Sequence, residues 1–123
     1  MIDPMSLALV AGGGAAGGLA RVTLAGLVAR RLGADFPWGT LVVNLTGAFL
    51  IGLAAGMASP LADERLWQLG VIGFLGSYTT VSSFSLQTLT LLHAGRTGRA
   101  GANIVLSISL GLSAAALGFW VAR

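Results

Sequence analysis

The chain has no cysteine, no lysine and a single histidine. Without thiols it can form neither disulfides nor thiolate metal sites, and one imidazole, His93 at the end of an apolar run, does not make a metal cluster and reads as an interfacial residue. Charge is also scarce, at 9% of 123 residues. The formal charge of +3 is carried by arginine alone, in places such as Arg30 with Arg31 and Arg96 with Arg99. That is too dispersed for a nucleic-acid surface and suits residues flanking a membrane. No Asp or Glu falls within an apolar run, and no nucleophile has a base and carboxylate partner, so an enzyme is not expected. The three prolines, Pro4, Pro37 and Pro60, all stand outside the runs.

Apolar sequence is abundant: 55% of residues are hydrophobic, in four nearly charge-free runs at about 5–28, 38–58, 66–92 and 102–121. At about 1.5 Å per residue each can cross a hydrocarbon core of about 30 Å. Trp38, Trp67 and Trp120 sit at run ends, where amphipathic rings anchor. The expected fold is an all-α membrane protein, a single transmembrane domain over 1–123 with four helices and short loops. Asp3 in place of a basic start, and a first run too long for a signal core, argue that the N-terminal segment is retained.

If all four runs span, Arg65 and Arg123 lie on one side and Arg30, Arg31, Arg96 and Arg99 on the other. The bias favours both termini outside but is small, and Asp35, Asp63 and Glu64 offset part of it. Insertion in both orientations stays open. Four packed helices fill their own centre with side chains, so a transport path requires an oligomer. Nineteen glycines, many at small-xxx-small spacing (Gly13/Gly17, Gly14/Gly18, Ala48/Gly52/Gly56, Gly111/Ala115), predict close helix contacts.

Packing alone does not explain GSYTTVSSFS at 76–85, where seven of ten side chains carry a hydroxyl inside an apolar run. Gly73 and Gly76 followed by residues that favour caps and turns predict two half-helices with a break near 76–80. A break frees carbonyls before it and amides after it, and neither can stay bare in lipid. Carbonyl ends attract a cation, whereas the amides and the hydroxyls of Thr80, Ser82 and Ser83 donate to an anion. Asn44 lies in the second run with Thr40 one turn earlier on the same face, and could bind an ion or tie helices. Arg21 is the one charge well inside a run and suits an anion path. In the fourth run Asn103 and Ser107 form one polar stripe, and Ser109 and Ser113 another; only one can face that path.

Three segments, GGAAGGLAR, WGTLVVNLTGAFLIG and GFLGSYTTVSSFSLQ, in this order and spacing, resemble the signature segments of the Fluc/CrcB fluoride channels. The resemblance implies a passive fluoride channel of the bacterial cytoplasmic (inner) membrane that exports fluoride. It implies an antiparallel, dual-topology homodimer with two pores and a central structural sodium ion on the backbone carbonyls of Gly76 and Thr79. It places Asn44, Phe84, Ser82 and Ser83 along the pore, Phe84 with its positive ring edge toward the ion. Thr80, Ser107 and Arg21 complete the expected anion-binding set. The family pattern resembles TTFSTFS-x-E, and this chain has Val81 at the first phenylalanine position and Gln87 at the acidic one, which puts rate and gating in question. A paired homologous subunit supplying the missing groups is the alternative to a homodimer. Two other functions compete. A small multidrug-type transporter needs a membrane carboxylate, which no run contains; a non-transporting scaffold would leave the polar break unused.

Overall fold

The computed structural model describes residues 3–33, 35–57 and 64–123. Residue 58, Pro60 and Asp63, all weighed above, lie outside the described residues. Helix α1 (Pro4–Leu32) begins with Asp3 as its cap: the Ser6 N–H donates to Asp3 Oδ1 at 2.7 Å. That backbone bond, and after it the Ser6 hydroxyl, hold the Asp3 carboxyl below its ordinary range. The helix ends at Gly33, whose φ of 88° a side chain would resist, with Arg30 and Arg31 in the last turn, where positive charge complements the helix end. Helix α2 covers Trp38–Met57. The third span, Glu64–His93, is composite: α3 (Glu64–Leu66), a π-helical stretch Trp67–Leu75, α4 (Gly76–Tyr78), an interruption at 79–81 and α5 (Ser82–His93). Helix α6 (Thr97–Ala122) ends the chain.

Among the described residues, four helices are thus long and apolar enough to cross a membrane. α1 and α6 run past the apolar stretches that announce them, because backbone hydrogen bonding continues where arginines reach the interface. The connection from the third span to α6 is a tight turn. Gly95, at φ 78°, follows α5, and Arg96 pairs with Asp35 at 3.8 Å. This pair joins the first and third loops and so puts them on one side.

Glycine sets the packing by letting backbones touch. Side chains at Gly13 and Gly17 of α1 would collide with backbone atoms of Leu69 and Phe74 in the π-helical stretch, and one at Gly73 with the Val10 carbonyl. α2 lies along α6 in the same way, Gly52 against Ala115 and Gly118 against Phe49. Of the fourth-helix pair, Ala115 is used, whereas Gly111 has nothing within 4 Å. The buried cluster is small: Val43, Leu75 and Tyr78, with Ala20, Leu24, Ala25 and Phe74 around it. Phe74 and Tyr78 stack at 5.8 Å, and Tyr78 shares a 2.8 Å hydrogen bond with Thr46. The core therefore sits directly beneath the interruption.

Candidate functional site

At the interruption the backbone turns out of helical geometry at Thr79 (φ −79°, ψ 153°). Two polar groups of Thr80 are then met by one side chain from α2: Asn44 Nδ2 donates to the Thr80 carbonyl at 2.9 Å, and the Thr80 N–H donates to Asn44 Oδ1 at 2.8 Å. The amide pairs as a neighbouring peptide would in a sheet, and keeps one of its two N–H donors for another acceptor. On the far side, the Ser83 N–H donates to Thr80 Oγ1 at 3.1 Å and Thr80 Oγ1 shares a hydrogen bond with Ser82 Oγ at 3.2 Å. Thr80 thus satisfies a free amide at the start of α5.

These bonds leave carbonyls behind. In an unbroken helix the Gly76 carbonyl would accept from the Thr80 N–H, and the Thr79 carbonyl from the Ser83 N–H. Here the first N–H is directed to Asn44 and the second to Thr80 Oγ1. The Leu75 carbonyl, by contrast, accepts from both the N–H and the hydroxyl of Thr79, each at 3.1 Å. The oxygens of Gly76 and Thr79 are therefore among those at the interruption deprived of their helical donors, and backbone oxygens are donors of the kind a hard cation takes.

Beside the interruption lies a cleft of about 300 Å³ lined by Arg21, Val22, Ala25, Thr40, Val43, Thr80, Ser83 and Gln87. It brings together three of the expected residues, Arg21, Thr80 and Ser83, from two spans. Arg21 Nε and Gln87 Oε1 are buried with no hydrogen-bond partner. A second cleft of about 270 Å³ shares Ala25, Thr40 and Gln87 with the first and continues to Asp35, Phe36 and Trp38 at the loop end. A cation, hydroxyls and an amide in a concave, mostly apolar setting can hold a small hydrated anion.

The other expected residues fall elsewhere. Ser82 is exposed and Phe84 half-buried, neither lining the cleft. Ser107 Oγ donates to Asn103 Oδ1 at 3.4 Å, Asn103 Nδ2 to Thr88 Oγ1 at 2.9 Å, and Thr88 Oγ1 to the Phe84 carbonyl at 2.8 Å. The Asn103/Ser107 stripe therefore faces α5, while Ser113 only bonds back to the Ser109 carbonyl. Thr40 and Gln87 were not among the expected binding residues. Their positions one turn before Asn44 and one turn after Ser83 carry the signal that would have found them.

Comparison with known proteins places these residues in context. The model of the family described as CrcB-like protein, Camphor Resistance (CrcB), matches residues 8–119, which include all three segments quoted above. The chain is 51% identical over 114 residues to a "Fluoride-specific ion channel FluC 2" of Bradyrhizobium diazoefficiens, covering 89% of this chain and 83% of that protein. It is 50% identical over 121 residues to the FluC 2 of Rhodopseudomonas palustris, covering 95% and 92%. To the "Fluoride-specific ion channel FluC" of Rhodospirillum rubrum it is 45% identical over 123 residues, covering 95% and 91%.

Proposed function

The chain belongs to the CrcB-like family, and from that premise we propose that it is a multi-pass, fluoride-specific channel that lets fluoride leave the cell passively across the cytoplasmic membrane. The observation that carries this reading is the interrupted third span, whose freed groups sit beside a cleft holding Arg21, Thr80 and Ser83. The relatives named fluoride-specific channels support the choice of ion.

The charge of Arg21 draws an anion into the cleft, where the hydroxyls of Thr80 and Ser83 take over from its water; Asn44, which does not line the cleft, keeps a spare N–H beside Thr80 for the continuing path. Ser82, Ser107 and the ring edge of Phe84 continue the path on a surface that a single chain leaves open. Because one chain closes no pore, the working unit is an antiparallel homodimer with two pores. The carbonyls of Gly76 and Thr79 would hold a structural sodium ion. Two oxygens fall short of a full shell, so a second copy would contribute its own. Sodium would supply fixed positive charge that neutralises those carbonyls and locks the two copies together.

The test is fluoride efflux from proteoliposomes down its own gradient, followed with a fluoride electrode, with chloride release measured on the same vesicles. Rapid fluoride release with chloride retained is expected. Equal release of both ions, or none of either, would overturn the reading.

A further inference from the structure

Helix α5 carries three of the residues assigned to the anion path, Ser82, Ser83 and Phe84, yet it is only 12 residues long and enters from an interruption, not from a continuous helix. Its position must be fixed from outside. At its entrance the tie is Asn44 to the Thr80 backbone. Further along, Thr88 and Leu91 are its buried residues and face Ala100 and Asn103, the buried residues at the start of α6. Asn103 is 1% exposed and, with Val43, is one of the two largest fully buried side chains among the described residues.

Both ends of the Asn103 amide are engaged: Oδ1 accepts from Ser107 Oγ and Nδ2 donates to Thr88 Oγ1. The Thr88 hydroxyl in turn donates to the Phe84 carbonyl one turn earlier. All three bonds run in the same donor-to-acceptor sense, so each polarises the next. We infer that Asn103 is a positioning residue for permeation: acting through Thr88, it sets the rotation of α5 and thereby the aim of Phe84 and Ser83. The inference rests on the fluoride-channel reading. The stretch it controls, Ser82–Gln87, lies between the two ties, and every expected ion-facing group of α5 falls within it.

Near-isosteric changes that delete the bond decide the matter. Asn103→Leu, Thr88→Val and the double variant are reconstituted as full chains. Dimer content is read by size exclusion, and the ratio of fluoride to chloride release on the same preparations. Interhelical bonds of this kind in membranes contribute enough that each single change should lower the ratio about three- to tenfold, with dimer content kept. Because both deletions remove the shared Asn103–Thr88 bond, the double variant should be no worse than the more affected single. Thr88→Ser, which keeps the hydroxyl, should restore the ratio, and Ser113→Ala, which removes only a back-bonded hydroxyl on α6, should leave it unchanged.

An unchanged ratio in assembled variants, or losses that add, would overturn the inference. If Asn103→Leu does not assemble, Thr88→Val decides by the same ratio. A wild-type chain passing no fluoride would overturn the channel reading and this inference with it. A selective wild type with unmoved variants would overturn the inference alone.

Discussion

Asn44 shows how much one uncharged side chain can do. It was a candidate ion ligand because an amide in an apolar run needs a reason, and Thr40 shared its face. Its partner, Thr80, lies 36 residues away, so the pairing is a tertiary fact that no local pattern announces. Asn44→Asp keeps the acceptor for the Thr80 N–H but loses the donor to the Thr80 carbonyl, and sets a negative charge in the anion path. An unsatisfied buried carbonyl alone costs about 1–3 kcal/mol. Fluoride flux is expected to fall by more than tenfold, with dimers still visible by size exclusion. Thr79→Ala should be milder, since it removes only a second bond to the Leu75 carbonyl and spares the Thr79 backbone oxygen. Unchanged flux in Asn44→Asp would remove Asn44 from the path.

At the scale of the helices, what could be read in advance was what depends on composition. Apolar runs announced four spans, and a dense row of hydroxyls announced that the third would part, although Gly76–Tyr78 remain helical and the interruption falls at 79–81, not 76–80. The π-helical stretch Trp67–Leu75 was not legible, because its residues form an ordinary apolar run; it lies where α1 backbone meets the third span at Gly13, Gly17 and Gly73. Nor did spacing say which glycines matter, since Gly111 has the same pattern as Gly52 and touches nothing. Of the candidate site, the hydroxyls and Arg21 stood out by type, whereas the cleft's remaining wall, Thr40 and Gln87, needed the packing of three spans to be seen. Alanine is the better helix former, by about 1 kcal/mol over glycine. Even so, Gly17→Ala and Gly52→Ala are expected to destabilise by about 1–3 kcal/mol, because the added carbon meets facing backbone, which cannot swing aside. Gly26→Ala, with nothing within 4 Å, should be neutral or stabilising. Thermal unfolding in detergent compares the three, and equal melting temperatures would contradict this packing.

For the whole molecule, the small arginine bias bears on how the chain sits in a bilayer. The Asp35–Arg96 pair cancels part of the charge of the first and third loops, leaving little to choose between orientations. The absence of cysteine makes this measurable. Gly98→Cys introduces a single thiol at an exposed site with nothing within 4 Å. In whole cells a membrane-impermeant maleimide is expected to label about half of the population, as an antiparallel pair requires. Complete labelling or complete protection would show a single orientation.

Arg21, set in its cleft away from either helix end, has one more consequence. A membrane voltage acts on a protein through the charges it can move, each worth about 2.3 kcal/mol per 100 mV for a full crossing. This chain places one guanidinium deep in a span, on a helix locked by backbone contacts at Gly13 and Gly17, and leaves the electric field little else to pull on. Among the described residues, an arginine held on so closely packed a helix makes a poor movable gating charge, so a negative interior is expected to act on the escaping anion and to add to its push.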